Sequence, residues 1–233
     1  MIAHRAGDRR TGMVALGIAL AVAAVGLGIA LPHRGFWQSL TVATVKFAAL
    51  GALWGAAWLV FRSDPGRPLD RRWVLVALAF EALCDVSIEF NVVVGGAASA
   101  LGMIFYSLAF LSFPRGRHGK VAPVVSWALV FTTVFVLVAW GARTFAGEGF
   151  GGPDLAYSLY MAVLSTTVAF SLGRDVPWAG RLAILLFYAS DYFVYFGAIW
   201  GRQPVLALAN GLTYYSAQVL FAGSWGGRKP GRD

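Results

Sequence analysis

The chain is poor in several residue types that enzymes commonly use for chemistry. It has one cysteine, Cys84, which excludes an internal disulfide and a thiolate-rich metal site. Its three histidines, His4, His33 and His118, fall in the amino-terminal tail and in loops and form no ligand cluster. No phosphate-binding loop, Gly-x-Ser-x-Gly elbow, HExxH or zinc-like spacing occurs, so no metal and no cofactor is expected. Charged residues make up only 13% of the 233 positions, and no linker, low-complexity run or soluble insertion interrupts the chain. One domain over 1–233 is the simplest organisation.

Apolar sequence is what the chain has in abundance. Hydrophobic residues account for 58% of it, far from the composition of a soluble domain of this size. A spanning helix needs about 20 mostly apolar residues to cross a hydrocarbon core roughly 30 Å thick. The sequence offers eight such runs, near 12–31, 38–61, 73–92, 95–113, 121–141, 154–172, 180–200 and 204–224. An all-α polytopic membrane protein is therefore expected. The run 73–113 would be about 60 Å long as one helix, so the chain must fold back within it. Asn91 and the Gly95-Gly96 pair supply the only turn-like chemistry there.

Basic residues predict the orientation, since Lys and Arg accumulate on the cytoplasmic side of short loops. With eight spans, the side holding both termini and the even-numbered loops carries fourteen of them, against Arg34, Arg143 and Arg202 on the other. Both termini are thus expected in the cytoplasm. The same topology accounts for the formal charge of +8 without invoking a nucleic-acid partner. Trp37, Trp73, Trp140, Trp178, Trp200 and Trp225 lie near span ends, as an interfacial belt requires. The first span follows Arg9-Arg10, and its apolar run of 20 residues reads as a retained anchor. With no targeting segment in view, a bacterial plasma membrane is the expected location.

Against this background five ionisable residues stand inside spans: Lys46 in span 2, Glu81, Asp85 and Glu89 in span 3, and Asp191 in span 7. Each would cost about 2.5–3.5 kcal/mol at a helix centre if charged and unpaired, and such residues are functional candidates by default. On a continuous helix the four-residue spacing puts Glu81, Asp85 and Glu89 on one stripe that can face a cavity. Asp85, Asp191, Lys46 and Tyr214 fall at similar depths, so they could share one polar pocket. Four carboxylates and one ammonium cannot all be ionised in low dielectric, and at least one acid is expected to keep its proton beside an ionised neighbour. That combination suits acid/base catalysis.

Structural alternatives exist for each. Glu81 and Glu89 could reach water or a headgroup, Lys46 could snorkel outward, and Tyr106, Tyr160, Tyr214, Tyr215 and Gln218 could be interhelical glue. Asp154, after Gly-Gly-Pro, reads as an N-cap for span 6. A weak internal echo relates CDVSIEF at 84–90, with Tyr106 in the next span, to SDYFVYF at 190–196, with Tyr214-Tyr215 in the next. Spans 3 and 4 would then correspond to spans 7 and 8 in a parallel repeat.

The order of Lys46-Phe47, Cys84-Asp85, Met103 to Tyr106, Ser190-Asp191 and Tyr214-Tyr215-Ser-Ala-Gln218 resembles the YhhN-type lysoplasmalogenase family, eight-span membrane hydrolases. The resemblance runs from about Lys46 to Ser224. Phe47, Cys84 and Met103 stand where that family usually has Pro, Gly and His, and Glu81 and Glu89 are additions to its pattern. The resemblance implies hydrolysis of the vinyl ether bond of lysoplasmalogens, with a lysophospholipid as substrate and membrane lipid as surroundings. It casts Asp85 and Asp191 as the acid/base pair, by analogy with the two carboxylates around an oxocarbenium-like centre in glycosidases. Which is acid and which is base stays open, although the neighbouring Glu81 or Glu89 inclines Asp85 to the acid. Lys46 would hold Asp191 ionised or bind the phosphate. Tyr214 and Tyr215 would position water or the ether oxygen, with Gln218 orienting one of them, and Tyr106, Tyr160 and Ser190 complete the supporting set. Two other classes remain: a proton-coupled transporter or channel using the Glu81, Asp85, Glu89 ladder, and an inactive relative that binds lipid or a partner helix, for which Gly51-x-x-x-Gly55 offers a packing motif.

Overall fold

In a computed structural model, residues 2–31, 36–63, 68–114, 121–201 and 203–224 are described. They form eight α-helices: α1 (Ile2–Ala30), α2 (Phe36–Ser63), α3 (Pro68–Ser87), α4 (Val92–Leu111), α5 (Val121–Phe145), α6 (Gly152–Gly173), α7 (Trp178–Trp200) and α8 (Pro204–Ser224). Each coincides with one of the expected apolar runs. Proline lies in the first turn of α3, α6 and α8, where its missing N–H costs no hydrogen bond. α1 begins well before the expected span, taking in a polar turn that contains Arg5, Arg9 and Arg10. Among the described residues, six helices are long and apolar enough to cross a membrane: α2, α4, α5, α6, α7 and α8. α3 carries Glu81 and Asp85 within its apolar stretch, and the apolar stretch of α1 is the shorter Thr11–Leu27. Arg34, Arg67, Arg115, Arg117, Lys120, Arg202, Arg228, Lys229 and Arg232, with His33, His118 and Trp225, lie outside the described residues.

The exterior of the bundle is apolar. Only 11% of the most apolar window of α5 is buried, and Leu129, Val130, Val134 and Leu137 point outward from it. Water would penalise such a surface, whereas lipid does not. Trp37, Trp140 and Trp178 are exposed near helix ends, as the belt predicts. This is an integral membrane protein.

Successive helices pair as hairpins α1/α2, α3/α4, α5/α6 and α7/α8. α2 also packs on α3, α4 on α6, α6 on α7, and α8 closes against α1 and α2. The α3/α4 reversal occupies residues 88–91. Asn91 is the N-cap of α4, its side chain accepting from the N–H groups of Val93 and Val94 at 3.0 and 3.2 Å. Gly95 has a packing role instead of a turn role: a Cβ there would stand 2.8 Å from Ile88. On the opposite side of the bundle the loops after α4 and α6 meet, Asp175 N donating to Pro114 O at 3.1 Å and Arg174 to Phe113 O at 3.3 Å. Only half of the Gly51/Gly55 motif lies in a helix–helix contact: Gly51 faces open space, whereas Gly55 faces α1, where an added Cβ would collide with the Met13 side chain.

Candidate functional site

α3 brings two carboxyl groups into the bundle one turn apart. Glu81 is fully buried, at 0% exposure, and Asp85 at 7%. α4 receives the first of them with two small residues. Ser99 Oγ lies 3.3 Å from both carboxyl oxygens of Glu81. Gly102 leaves the space the carboxyl fills, since a Cβ there would collide with Glu81 Oε1. A close α3–α4 approach, made possible by one glycine, therefore encloses a carboxyl group.

α7 supplies Asp191, 9% exposed. Two tyrosines on α6 hold it: Tyr160 donates its hydroxyl to Asp191 Oδ2 at 2.8 Å, and Tyr157 donates to the Asp191 backbone carbonyl at 3.0 Å. Tyr160 Oη is also 3.1 Å from Ser99 Oγ. An unbroken chain of oxygens thus runs from Glu81 through Ser99 and Tyr160 to Asp191, joining α3, α4, α6 and α7. Asp191 and Asp85 each lie within electrostatic range of Glu81, which stands between the two in this network.

α8 lines the Asp85 side. The hydroxyls of Tyr214 and Tyr215, the Nε2 of Gln218 and the Oδ2 of Asp85 are all buried without a hydrogen-bond partner. The Tyr214 hydroxyl faces the Asp85 carboxyl closely enough to act on it, without reaching full hydrogen-bond geometry. Buried polar atoms are nearly always satisfied, and a cluster that is not marks a place where a polar ligand or water completes the set. Tyr106 stacks on Phe221 with ring centroids 4.1 Å apart and donates to Gln218 Oε1 at 3.3 Å.

Several sequence expectations shift here. α3 ends at Ser87, so Glu89 sits in the turn and does not continue the stripe of Glu81 and Asp85. Lys46 pairs with Glu89 at 2.7 Å, their side chains 20% and 5% exposed, and its ammonium is committed there instead of to Asp191. Gln218 orients Tyr106, not Tyr214 or Tyr215. Ser190 donates to its own helix at Phe187 O, 2.6 Å away, and points no hydrogen at the acids. Asp154 is not the N-cap of α6, which is Gly151. It caps from the third helical position, Oδ2 accepting from Gly151 N at 2.8 Å, and Oδ1 accepts from Arg143 at 2.8 Å and Tyr195 at 2.7 Å. Arg143 also contacts Glu148, making a clamp between α5, α6 and α7.

Sequence reasoning missed Ser99, Gly102 and Tyr157. Ser99 stands two turns before Tyr106 on α4 and so shares its inward face. That spacing was the available signal. Among the described residues no group of His, Cys, Asp and Glu is arranged to hold a metal ion.

Residues 41–225, about four-fifths of the chain, match the sequence profile of the YhhN family. No curated protein and no solved structure matches the chain.

Proposed function

The chain belongs to the YhhN family, and on that premise we propose that it is a membrane-embedded hydrolase cleaving the vinyl ether bond of lysoplasmalogens. The products are a fatty aldehyde and a glycerophospho-ethanolamine or -choline. In this reading all eight helices span a bacterial plasma membrane with both termini in the cytoplasm. The observation that supports it is that Asp85 and Asp191, from helices far apart in sequence, are both buried and each lie within electrostatic range of Glu81, with an Asp85 oxygen and the Tyr215 hydroxyl lacking partners.

Vinyl ether hydrolysis needs a proton delivered to carbon and an anion beside the cation that results. Asp85 is cast as the acid. It is buried, and the nearby ammonium of Lys46 makes its ion pair with Glu89 and none with Asp85. Asp85 gives its proton to the β-carbon, and the vinyl ether becomes an oxocarbenium ion. Asp191, steadied by the Tyr160 hydroxyl, is the carboxylate that faces this cation and takes a proton from the attacking water. The hemiacetal then collapses as its hydroxyl loses a proton and the glycerol oxygen gains one. Tyr214 and Tyr215 offer hydroxyls to water or the ether oxygen. Positioned acid/base groups of this kind contribute about 10²–10⁴-fold each.

The arrangement favours this over proton conduction across the membrane. Counting from the helix ends on the Asn91 side, Glu81, Ser99, Tyr160 and Asp191 lie at similar depths, about 9 to 14 Å in. Their chain runs laterally, whereas a transmembrane path needs groups at successive depths.

The test is aldehyde release by the purified protein in detergent from a lysoplasmalogen, with the ester-linked lysolipid as control. Wild type should release aldehyde from the vinyl ether only, and Asp85→Asn and Asp191→Asn should each abolish it. Absence of aldehyde from folded wild type, or full activity in either variant, would refute the proposal.

A further inference from the structure

The oxygens between Glu81 and Asp191 can be counted for protons. Three contacts connect them: Glu81 to Ser99 at 3.3 Å, Ser99 to Tyr160 at 3.1 Å, and Tyr160 to Asp191 at 2.8 Å. The two hydroxyls own one hydrogen each. If both carboxyl groups were ionised, Ser99 would donate to Glu81 and Tyr160 to Asp191. Ser99 and Tyr160 would then face each other oxygen to oxygen with nothing between them. Three hydrogen bonds need a third proton, and only a carboxyl group can supply it. Among the described residues no cation is paired with either acid, so nothing else compensates two charges at this depth.

We propose that Glu81 and Asp191 share one proton through Ser99 and Tyr160, and that this wire returns to the acid the proton that the base removes from water. The second half rests on the hydrolase reading above. At rest Glu81 holds the proton and donates to Ser99, Ser99 donates to Tyr160, and Tyr160 donates to an ionised Asp191. The shortest of the three contacts, at Asp191, fits a hydroxyl donating to a charged oxygen.

The balance closes over the reaction. Asp85 loses its proton to carbon, and Asp191 gains one from water. Glu81, one turn from Asp85 on the same helix face, passes its proton to Asp85 and becomes the acceptor at its end of the wire. The Asp191 proton then moves to Tyr160 oxygen, the Tyr160 proton to Ser99 oxygen, and the Ser99 proton to Glu81. Asp85 is protonated again, Asp191 is ionised, and no proton has come from bulk water. Collapse of the hemiacetal uses the same pair and the same return. Glu81, Ser99 and Tyr160 touch no substrate in this scheme. They are positioning residues that keep the two aspartates in opposite protonation states.

Two measurements on the full-length protein in detergent test this. In the substrate-free protein, infrared difference spectra should show a carboxylic-acid carbonyl band that Glu81→Gln removes and Tyr160→Phe shifts. In turnover, Tyr160→Phe and Ser99→Ala should lower kcat by about tenfold or more with KM unchanged, and Ser99→Thr, which keeps a hydroxyl, should recover most of the loss. A spectrum in which Glu81→Gln removes no acid band, or in which Tyr160→Phe leaves the band in place, overturns the shared proton. A Ser99→Thr variant as slow as Ser99→Ala overturns the wire. A wild type that releases no aldehyde would sink the hydrolase reading alone, because the infrared result still decides the proton count.

Discussion

Replacing Gly102 by alanine should force α3 and α4 apart. The added Cβ would collide with Glu81 Oε1, stand 3.2 Å from the Glu81 carboxyl carbon and 3.4 Å from Ala77 O. Glu81 is fully buried with Ser99 against its oxygens, so the carboxyl cannot turn aside without losing that contact. Overpacking of this kind costs about 1–3 kcal/mol, and the upper half of that range is expected where a hydrogen bond is given up as well. The control is the same change in a Glu81→Ala background. There the carboxyl is gone, the nearest remaining contact is Ala77 O, and the usual helical preference for Ala over Gly, about 0.5–1 kcal/mol, should make Gly102→Ala neutral or favourable. Thermal unfolding in detergent, followed by tryptophan fluorescence, gives the four corners of a double-mutant cycle with a coupling of about 2 kcal/mol. A Gly102→Ala protein as stable as wild type, or equally destabilised in both backgrounds, would show that the glycine is not there to house the carboxyl.

Three further outcomes follow from the same geometry. Tyr215→Phe removes a buried hydroxyl that has no partner, so it should leave the melting temperature unchanged or raised while lowering aldehyde release, and a clear loss of stability would contradict the assignment. Lys46→Met should leave the buried Glu89 carboxylate without its ammonium and lower stability by up to about 3 kcal/mol, with Glu89→Gln in the same background restoring most of it; melting curves of the single and double variants check this. Tyr195→Phe takes one of several donors from Asp154 and should cost about 1–2 kcal/mol in melting experiments while leaving kcat of the folded protein unaltered.

Much of the architecture was legible because lipid imposes simple rules. Eight apolar runs became eight helices, and Asn91, the one strong turn former in the 73–113 run, caps the helix that starts there. Asp85 and Asp191 were legible as ionisable residues in apolar segments, and both are buried within electrostatic range of Glu81. What sequence periodicity could not show depended on where a helix stops or on which helices touch. Glu89 belongs to the stripe only if α3 continues past Ser87, and it does not. Once in the turn, Glu89 takes Lys46 as its ion-pair partner in place of Asp191. Ser99 looked like an ordinary small residue of an apolar helix, because its importance comes from α4 packing against both α3 and α6. Gly95, read along the chain as part of a turn, and Gly102, not singled out there, are in space close approaches to α3 or to the residue just beyond it.

The central claim is that a buried carboxyl group protonates a carbon atom. Hydrolysis of a lysoplasmalogen in heavy water, with the aldehyde trapped at once and weighed by mass spectrometry, tests it most directly. The account predicts that the trapped aldehyde carries a single deuterium on the carbon next to the carbonyl, and that Asp85→Asn forms none of it. Aldehyde formed enzymatically without deuterium at that carbon would contradict the account.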